Sequence, residues 1–434
     1  MGNWRLWGAA LMLWAGFGLA SPAQDLLNEV SRLLNDYYGG FSQVRPEELK
    51  QKYQAELEKV CAQEVSCPSN KAYALIQALV AEYGDRHTRY FTPEDYAEIQ
   101  RRLAGSSSAR PQLGVQLQVV PGLEGLLVVE VLAETPAEEA GLRRGDRILA
   151  INGQALPQAE GERMDFLRER VAAGAPLSLA IQRAQQRLVL EVHPRIISLR
   201  QLPTLSLRPD GVAVLRIPSF SGYQQVGPRI HELVRQAQLA GAKAMVIDLR
   251  NNGGGVLSEC LVGAGAFVKE TYRRLQDNLR FSEQGFKEGY YYLRFGGRDR
   301  PQYEVQAVYW TGPLALLVNE RTASCAEYFT FDLQEGRQAL VIGQPTAGVG
   351  NTATIFLRLS DGSGLQVTTS RAQRKDGSFY PDRVTPSLNL SDDWYALAEG
   401  RDLMLEKAIE LVMGVNAGLD ARLYGPPPAP FYAQ

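Results

Sequence analysis

Histidine is scarce in this chain. Its 434 residues include three, His87, His193 and His231, and four cysteines, Cys61, Cys67, Cys260 and Cys325. Neither set has the spacing of a metal site, so no metal and no other cofactor is expected. An excess of charge is missing too. Lys and Arg total 46 against 48 Asp and Glu, a formal net charge of -2, with no long basic stripe, which argues against nucleic-acid binding. Beyond the N-terminal segment no apolar run is long enough to span a bilayer. The glycine run Gly253-Gly254-Gly255 is short and lacks the Lys-Ser/Thr of a phosphate-binding loop, which argues against a nucleotide.

What remains is ordinary for soluble globular protein, 45% hydrophobic and 22% charged. The length suits about two or three domains. Arg5, the apolar run Leu6 to Leu19 and the small residues Ala20 to Ala23 read as a signal peptide over residues 1–23, cut after Ala20 or Ala23. The run is short for a bilayer span, so a membrane is a partner only if this segment stays uncleaved. The expected location is therefore the periplasm or cell envelope. Cys61 and Cys67, in VCAQEVSC, are close enough to bridge a local loop in that oxidising compartment. Cys260 and Cys325 read as small buried residues.

Helical periodicity fills residues 24–105, beginning with Leu26, Leu27, Val30, Leu33 and Leu34. Gly105 to Ser108 is a linker by composition. Strand patterns follow over residues 108–197, interrupted by ETPAEEAGLRRGDRILAINGQAL, with Gly145-Asp146 and Asn152-Gly153 as turns and a helix from Met164 to Ala172. This stretch closely resembles a PDZ domain. The resemblance implies that Leu113-Gly114-Val115 is the amide loop that holds a peptide's C-terminal carboxylate.

Residues 198–415 alternate strand and helix. The buried strand from Ala244 runs into Asp248-Leu249-Arg250-Asn251-Asn252 and the three glycines, where backbone can approach a ligand closely. Another buried strand, Leu314 to Val318, leads into Asn319-Glu320-Arg321-Thr322. Ser324 then stands where a helix begins, and Gly336 is expected to end that helix. A serine there is either an ordinary N-cap or an exposed nucleophile whose oxyanion the helix amides stabilise. The aromatic and charged stretch 270–305, with Tyr290, Tyr291 and Tyr292, reads equally as a flap or as surface packing. Residues 416–434 form a Pro-rich tail without core residues, expected to be disordered.

TASCAE, GRQALVIG, PTAG and DLRNNGGG together resemble the carboxyl-terminal processing, or tail-specific, serine proteases. The resemblance implies an α/β multidomain protein: a helical N-domain, a PDZ domain and an α/β core of the ClpP/crotonase type. It makes Ser324 the nucleophile. Gly254, with Gly255 second, and the Cys325 amide become the oxyanion donors, and Glu327 and Thr346 supports of the serine loop. One departure matters. The position of the family's catalytic lysine is Val349, and the residue that usually orients that lysine is Ala353. Valine accepts no proton, so either another base serves Ser324 or the site is dead. PTAGVGN is closer to a tricorn-type branch, in which a histidine from a segment like Gly84-Asp85-Arg86-His87-Thr88 serves as base. That likeness makes His87 the base and Asp382 its partner acid, with Asp85 and Glu327 as alternatives.

The expected activity is an exported serine endopeptidase that cuts unfolded or C-terminally tagged proteins chosen by its PDZ domain. A catalytically inactive pseudoprotease that binds peptides or scaffolds a partner is the alternative, and a small-ligand carrier is a further one.

Overall fold

A computed structural model of the chain describes residues 21–416. The expected tail and the body of the expected signal segment lie outside them. Ser21 to Ala23, the end of the expected signal segment, form the cap and first turn of the first helix, α1 (Pro22–Tyr37). Ser21 caps it by accepting from the Gln24 amide at 3.2 Å, and Ala23 is fully buried. Its apolar stripe Leu26, Leu27, Val30 and Leu34 packs on α2 (Pro46–Val60) and α3 (Tyr73–Glu82). Each buried leucine contributes about 1.5–3 kcal/mol relative to exposure. The Cys61–Cys67 disulfide forms at the end of α2.

After α3 comes a short strand, β1 (Arg89–Phe91), and then α4 (Pro93–Leu103), started by Thr92 as cap and Pro93 in the first turn. Gly105 to Ser108 is not a free linker. Ser108 donates to the Ile197 carbonyl and Leu199 to that of Ser106, so the chain enters and leaves the next region through a paired neck. Between these points lie β2 (Val115–Gln118), β3 (Leu126–Val131), α5 (Pro136–Glu139), β4 (Arg147–Ile151), β5 (Gln154–Ala155), α6 (Arg163–Ala172), β6 (Leu177–Arg183) and β7 (Gln186–Val192). The sheet order β2-β3-β4-β6-β7 leaves β2 at an edge.

The remaining elements are β8 (Thr204–Leu207), β9 (Val212–Arg216), α7 (Val226–Leu239), β10 (Ala244–Asp248), α8 (Leu257–Ala264), β11 (Glu270–Gln276), β12 (Phe281–Lys287), β13 (Tyr290–Phe295), β14 (Arg298–Glu304), β15 (Leu314–Val318), α9 (Cys325–Arg337), β16 (Leu340–Gly343), β17 (Thr352–Arg358), β18 (Gly364–Gln373), β19 (Leu388–Asn389), α10 (Trp394–Ala398) and α11 (Leu403–Asn416). One sheet has the order β19-β16-β15-β10-β9-β8, parallel except for β8. Both faces are covered, which is why β10 up to Ile247 and all of β15 read as apolar runs. Leu215, Met245, Ile247, Leu316 and Val318 face α7, α8 and α9, while Val246, Ala315 and Leu317 face α11.

Stretch 270–305, read above as a flap or as surface packing, is regular structure packed on α8 through Phe286 and Tyr291. It forms the antiparallel meander β11 to β14, continuing a sheet that also holds β1, β17 and β18. Gly336 does not end α9 either. It lies inside the helix, where a Cβ would approach Val268 Cγ1 to 2.6 Å, and Gln338 caps the end in a left-handed conformation. Among the described residues no helix is long and apolar enough to cross a membrane.

Candidate active site

The site forms where the parallel strands β10 and β15 end side by side, the place where open α/β sheets expose loops to ligands. The two loops are laced together. The Asn251 amide donates to Asn319 Oδ1 at 3.0 Å, Asn319 Nδ2 donates back to Asn251 Oδ1 at 3.0 Å, and Thr322 Oγ1 donates to the Leu249 carbonyl at 2.9 Å. The Ala323 amide donates to the Asn252 carbonyl at 2.9 Å. These bonds leave Ser324 little choice of backbone.

Ser324 sits at φ 54° and ψ -116°, a conformation a non-glycine residue adopts only when its surroundings impose it. Glu327, one turn into α9, holds it there. Its Oε2 accepts from the amides of Ser324 at 2.7 Å and Val349 at 3.2 Å. Its Oε1 accepts from Thr346 Oγ1 at 2.5 Å and the Gly348 amide at 3.0 Å. Burial pushes the Glu327 carboxyl upward, and the four donors oppose that shift. Gly254 makes the close approach possible, because a Cβ there would lie 2.9 Å from both Ser324 Cβ and the Cys325 nitrogen.

The amide of Gly254 donates to Asn252 Oδ1 at 2.9 Å, so it is not free for a substrate oxygen. Gly255 and Cys325 differ. Neither amide donates to a protein acceptor among the described residues, and both residues line a cleft of about 360 Å³ together with Ser324. Apolar side chains supply most of its wall, among them Leu103, Val256, Leu257, Tyr328 and Phe356.

Cys325 and Cys260 are buried as expected, but they are joined to each other as a disulfide. They stand 65 residues apart in sequence, so only the packing of α8 against α9 brings them together.

His87 lies two residues before β1, which pairs antiparallel with β18. β18 in turn pairs with β17, whose first residue, Thr352, lines the cleft. The imidazole is therefore fixed to the sheet that carries the cleft wall and not to a separate mobile domain. Its Nδ1 lies 2.9 Å from Thr352 Oγ1, and its backbone amide donates to Asp85 Oδ1 at 2.8 Å. Burial lowers the ring's pKa to about 4, against a smaller opposing pull from Asp85. No hydrogen bond joins His87 to Ser324 among the described residues.

Asp382 does not reach the ring. Its side chain is 54% exposed and pairs with Arg383 at 3.1 Å, while its carbonyl accepts from the Gly350 amide at 2.8 Å. Val349 is buried, and its amide serves Glu327. His231 is buried with both ring nitrogens engaged by backbone. His193 is exposed and lies just past the end of β7, not in a strand. Among the described residues no cluster of His, Cys, Asp and Glu could hold a metal ion.

Among the described residues the amides of Leu113 and Gly114 donate to no protein acceptor, while their carbonyls accept from Ala137 and Leu132. Gly114 has φ 83°, and a Cβ there would strike Thr135. The loop leads into edge strand β2, and Leu113 shares a buried cluster with Leu167 of α6. This region docks on the core through Val120, Leu127 and Val129 against Leu397 and Ala398. A buried ion network continues the junction. Arg144 meets Asp392 and Asp402, Glu130 meets Arg216, and Arg250 meets Asp248, Asp392 and Asp402. Burial would raise the Asp248 carboxyl, but Arg250 and Arg216 hold it far below the usual carboxylate range.

Sequence reasoning missed Thr352, Asn252, Asn319 and the Cys260–Cys325 link. The asparagines stand inside quoted motifs and could have been found. Thr352 carried no signal of its own.

A family model for peptidase family S41 matches residues 211–390, and a PDZ domain model matches residues 127–183. The carboxyl-terminal-processing protease of Synechocystis is 29% identical over 364 residues, 79% of this chain and 77% of the relative. That of Picosynechococcus is 27% identical over 362 residues, 79% of each chain. The crystal structure of an S41-type protein of Bacteroides fragilis, 15% identical, superposes with a TM-score of 0.61 over 95% of this chain and 100% of that one, a likeness of fold alone. Residues 211–390 thus match peptidase family S41 and residues 127–183 a PDZ domain, in a chain similar over about four-fifths of its length to carboxyl-terminal-processing proteases.

Proposed function

We propose that the protein is an exported endopeptidase that cleaves unfolded or C-terminally tagged proteins, with Ser324 as nucleophile and His87 as base. The observation that carries the reading is Ser324 in a forced backbone conformation beside two unengaged amides in an apolar-walled cleft. In the acylation step Ser324 Oγ attacks the scissile carbonyl carbon, and its proton passes to His87. The carbonyl oxygen becomes an oxyanion held by the amides of Gly255 and Cys325. His87 then gives the proton to the leaving amine, and water repeats the sequence to release the acyl group.

Thr352 takes the orienting role that the sequence suggested for Asp382. If Nδ1–H donates to Thr352 Oγ1, the lone pair sits on Nε2, the nitrogen available as a base. Closure of the remaining gap to Ser324 belongs to the substrate complex, since such contacts commonly tighten on binding. The Leu113-Gly114-Val115 loop would receive the substrate's terminal carboxylate. Amidating that terminus should weaken peptide binding to Ser324→Ala protein, and equal affinity for acid and amide would end this part of the reading.

The deciding experiment is labelling with a fluorophosphonate. Modification mapped to Ser324, absent in Ser324→Ala, is the expected result. The replacement of the dyad lysine by Val349 favours a peptide-binding pseudoprotease as the second reading. Folded protein that never labels and never turns over would establish it.

A further inference from the structure

The two amides assigned to the oxyanion come from different loops, and their spacing must be held by something. Up to Asn252 the glycine loop is bonded to the serine loop. Beyond it the bonds go elsewhere: Phe220 N donates to the Gly254 carbonyl at 2.9 Å and Val256 N to the Phe220 carbonyl at 3.0 Å. Gly255 is thus tied by backbone bonds to the strand-end segment after β9 and not to α9. The direct covalent tie is the disulfide. Cys260 lies in α8, which starts at Leu257, just past Gly255, and Cys325 is the first residue of α9. Cys325 Sγ also lies 3.1 Å from the Val256 carbonyl oxygen. One bond therefore connects the exits of both donor loops.

We propose that the Cys260–Cys325 disulfide is a positioning element for the oxyanion hole, so that opening it lowers turnover in a protein that stays folded. The inference rests on the serine-peptidase reading above. Opening is a two-electron reduction: a dithiol closes to its cyclic disulfide, the Cys260–Cys325 sulfur–sulfur bond breaks, and each sulfur takes one proton. With the tie gone, Gly255 and Cys325 move independently, and the oxyanion loses simultaneous donation. The ground-state peptide, which needs only the cleft wall, binds as before.

The test uses full-length protein with Cys61→Ala and Cys67→Ala, so that one disulfide remains to respond. After dithiothreitol treatment, with bond opening followed by mass, kcat on a peptide substrate should fall about tenfold or more, because a single oxyanion donor is worth roughly 100- to 1000-fold. KM and the circular dichroism spectrum should not change, and reoxidation should restore kcat. Affinity for a peptide aldehyde, which forms a tetrahedral adduct on the serine, should fall in step. Cys260→Ala with Cys325→Ala should reproduce the reduced enzyme without reductant. An unchanged kcat in folded, reduced enzyme overturns this inference alone, as does a loss that follows unfolding. Oxidised protein that neither labels nor turns over overturns the peptidase reading and this inference with it.

Discussion

Two buried imidazoles, His231 in α7 and His87 in the turn before β1, have nearly the same electrostatics and opposite prospects. Burial lowers both to a pKa of about 4. His231 spends both nitrogens on the backbone: Nε2 donates to the Val262 carbonyl at 2.9 Å and Nδ1 accepts from the Val308 amide at 3.2 Å. It fastens α7 to α8 and to the segment before β15. His87 spends one nitrogen, Nδ1, on Thr352, and Nε2 has no protein partner among the described residues. Burial and a shifted pKa do not make a catalytic group. An uncommitted nitrogen beside a nucleophile's cleft is the feature that separates the two.

Replacing each ring sharpens the contrast most. His87→Ala should lower kcat by about 100- to 10,000-fold, the usual range for a general base, with the fold intact. His231→Ala should leave kcat per folded molecule unchanged but destabilise the protein by about 1–3 kcal/mol, through an orphaned carbonyl and amide. Steady-state kinetics beside denaturant unfolding decides this, and full activity in folded His87→Ala protein would end the histidine mechanism.

Thr352 should give the next largest effect. Thr352→Val removes the Nδ1 partner, and kcat should fall about tenfold to a hundredfold while KM holds, the scale on which a working imidazole loses the group that orients it. Thr352→Ser, which keeps the hydroxyl, should recover most of it. If valine and serine behave alike, Thr352 packs against the ring without orienting it.

The pH dependence should follow. Since both folded-state pKa values lie below the ordinary 6.5, the unfolded chain binds more protons between about pH 4 and 6.5. Stability from these rings is therefore complete above about pH 6.5 and is lost as pH falls toward 4. Melting temperatures across that window should fall with acid, and less steeply in His231→Ala. The acid limb of kcat/KM should be centred near 4, and a limb at 6.5 would mean that the active ring is solvated.

The smallest effect should come from Val349→Ala. Two lost methyl carbons in a packed position cost about 1–2 kcal/mol of stability, and kcat should scarcely move. A large fall in kcat would mean that this position shapes the site by packing.

Much of the site was legible in the chain. The run Leu314 to Val318 had the length and composition of a buried strand, and Ser324 at its exit was recognisable as an N-terminal helix residue. The run Ala244 to Leu249 led in the same way to the glycines. The order of preference between Gly254 and Gly255 was not legible in the chain, because it depends on the Asn252 side chain, whose Oδ1 accepts from the Gly254 amide. The meander 270–305 was missed because its outer strand, RDRPQYE, is exposed along nearly its whole length and carries no core face.

The sequence by itself determined the elements and their order, because apolar spacing, caps and turn residues act within a few positions of one another. It also determined the short Cys61–Cys67 bridge, whose partners are near neighbours. Tertiary structure alone decided that Cys260 meets Cys325, that Asp382 faces solvent, and that Thr352 meets His87 across 265 positions of chain. Those contacts depend on how α8 packs on α9 and how β1 registers on β18, and pairings between distant segments leave no local pattern to read.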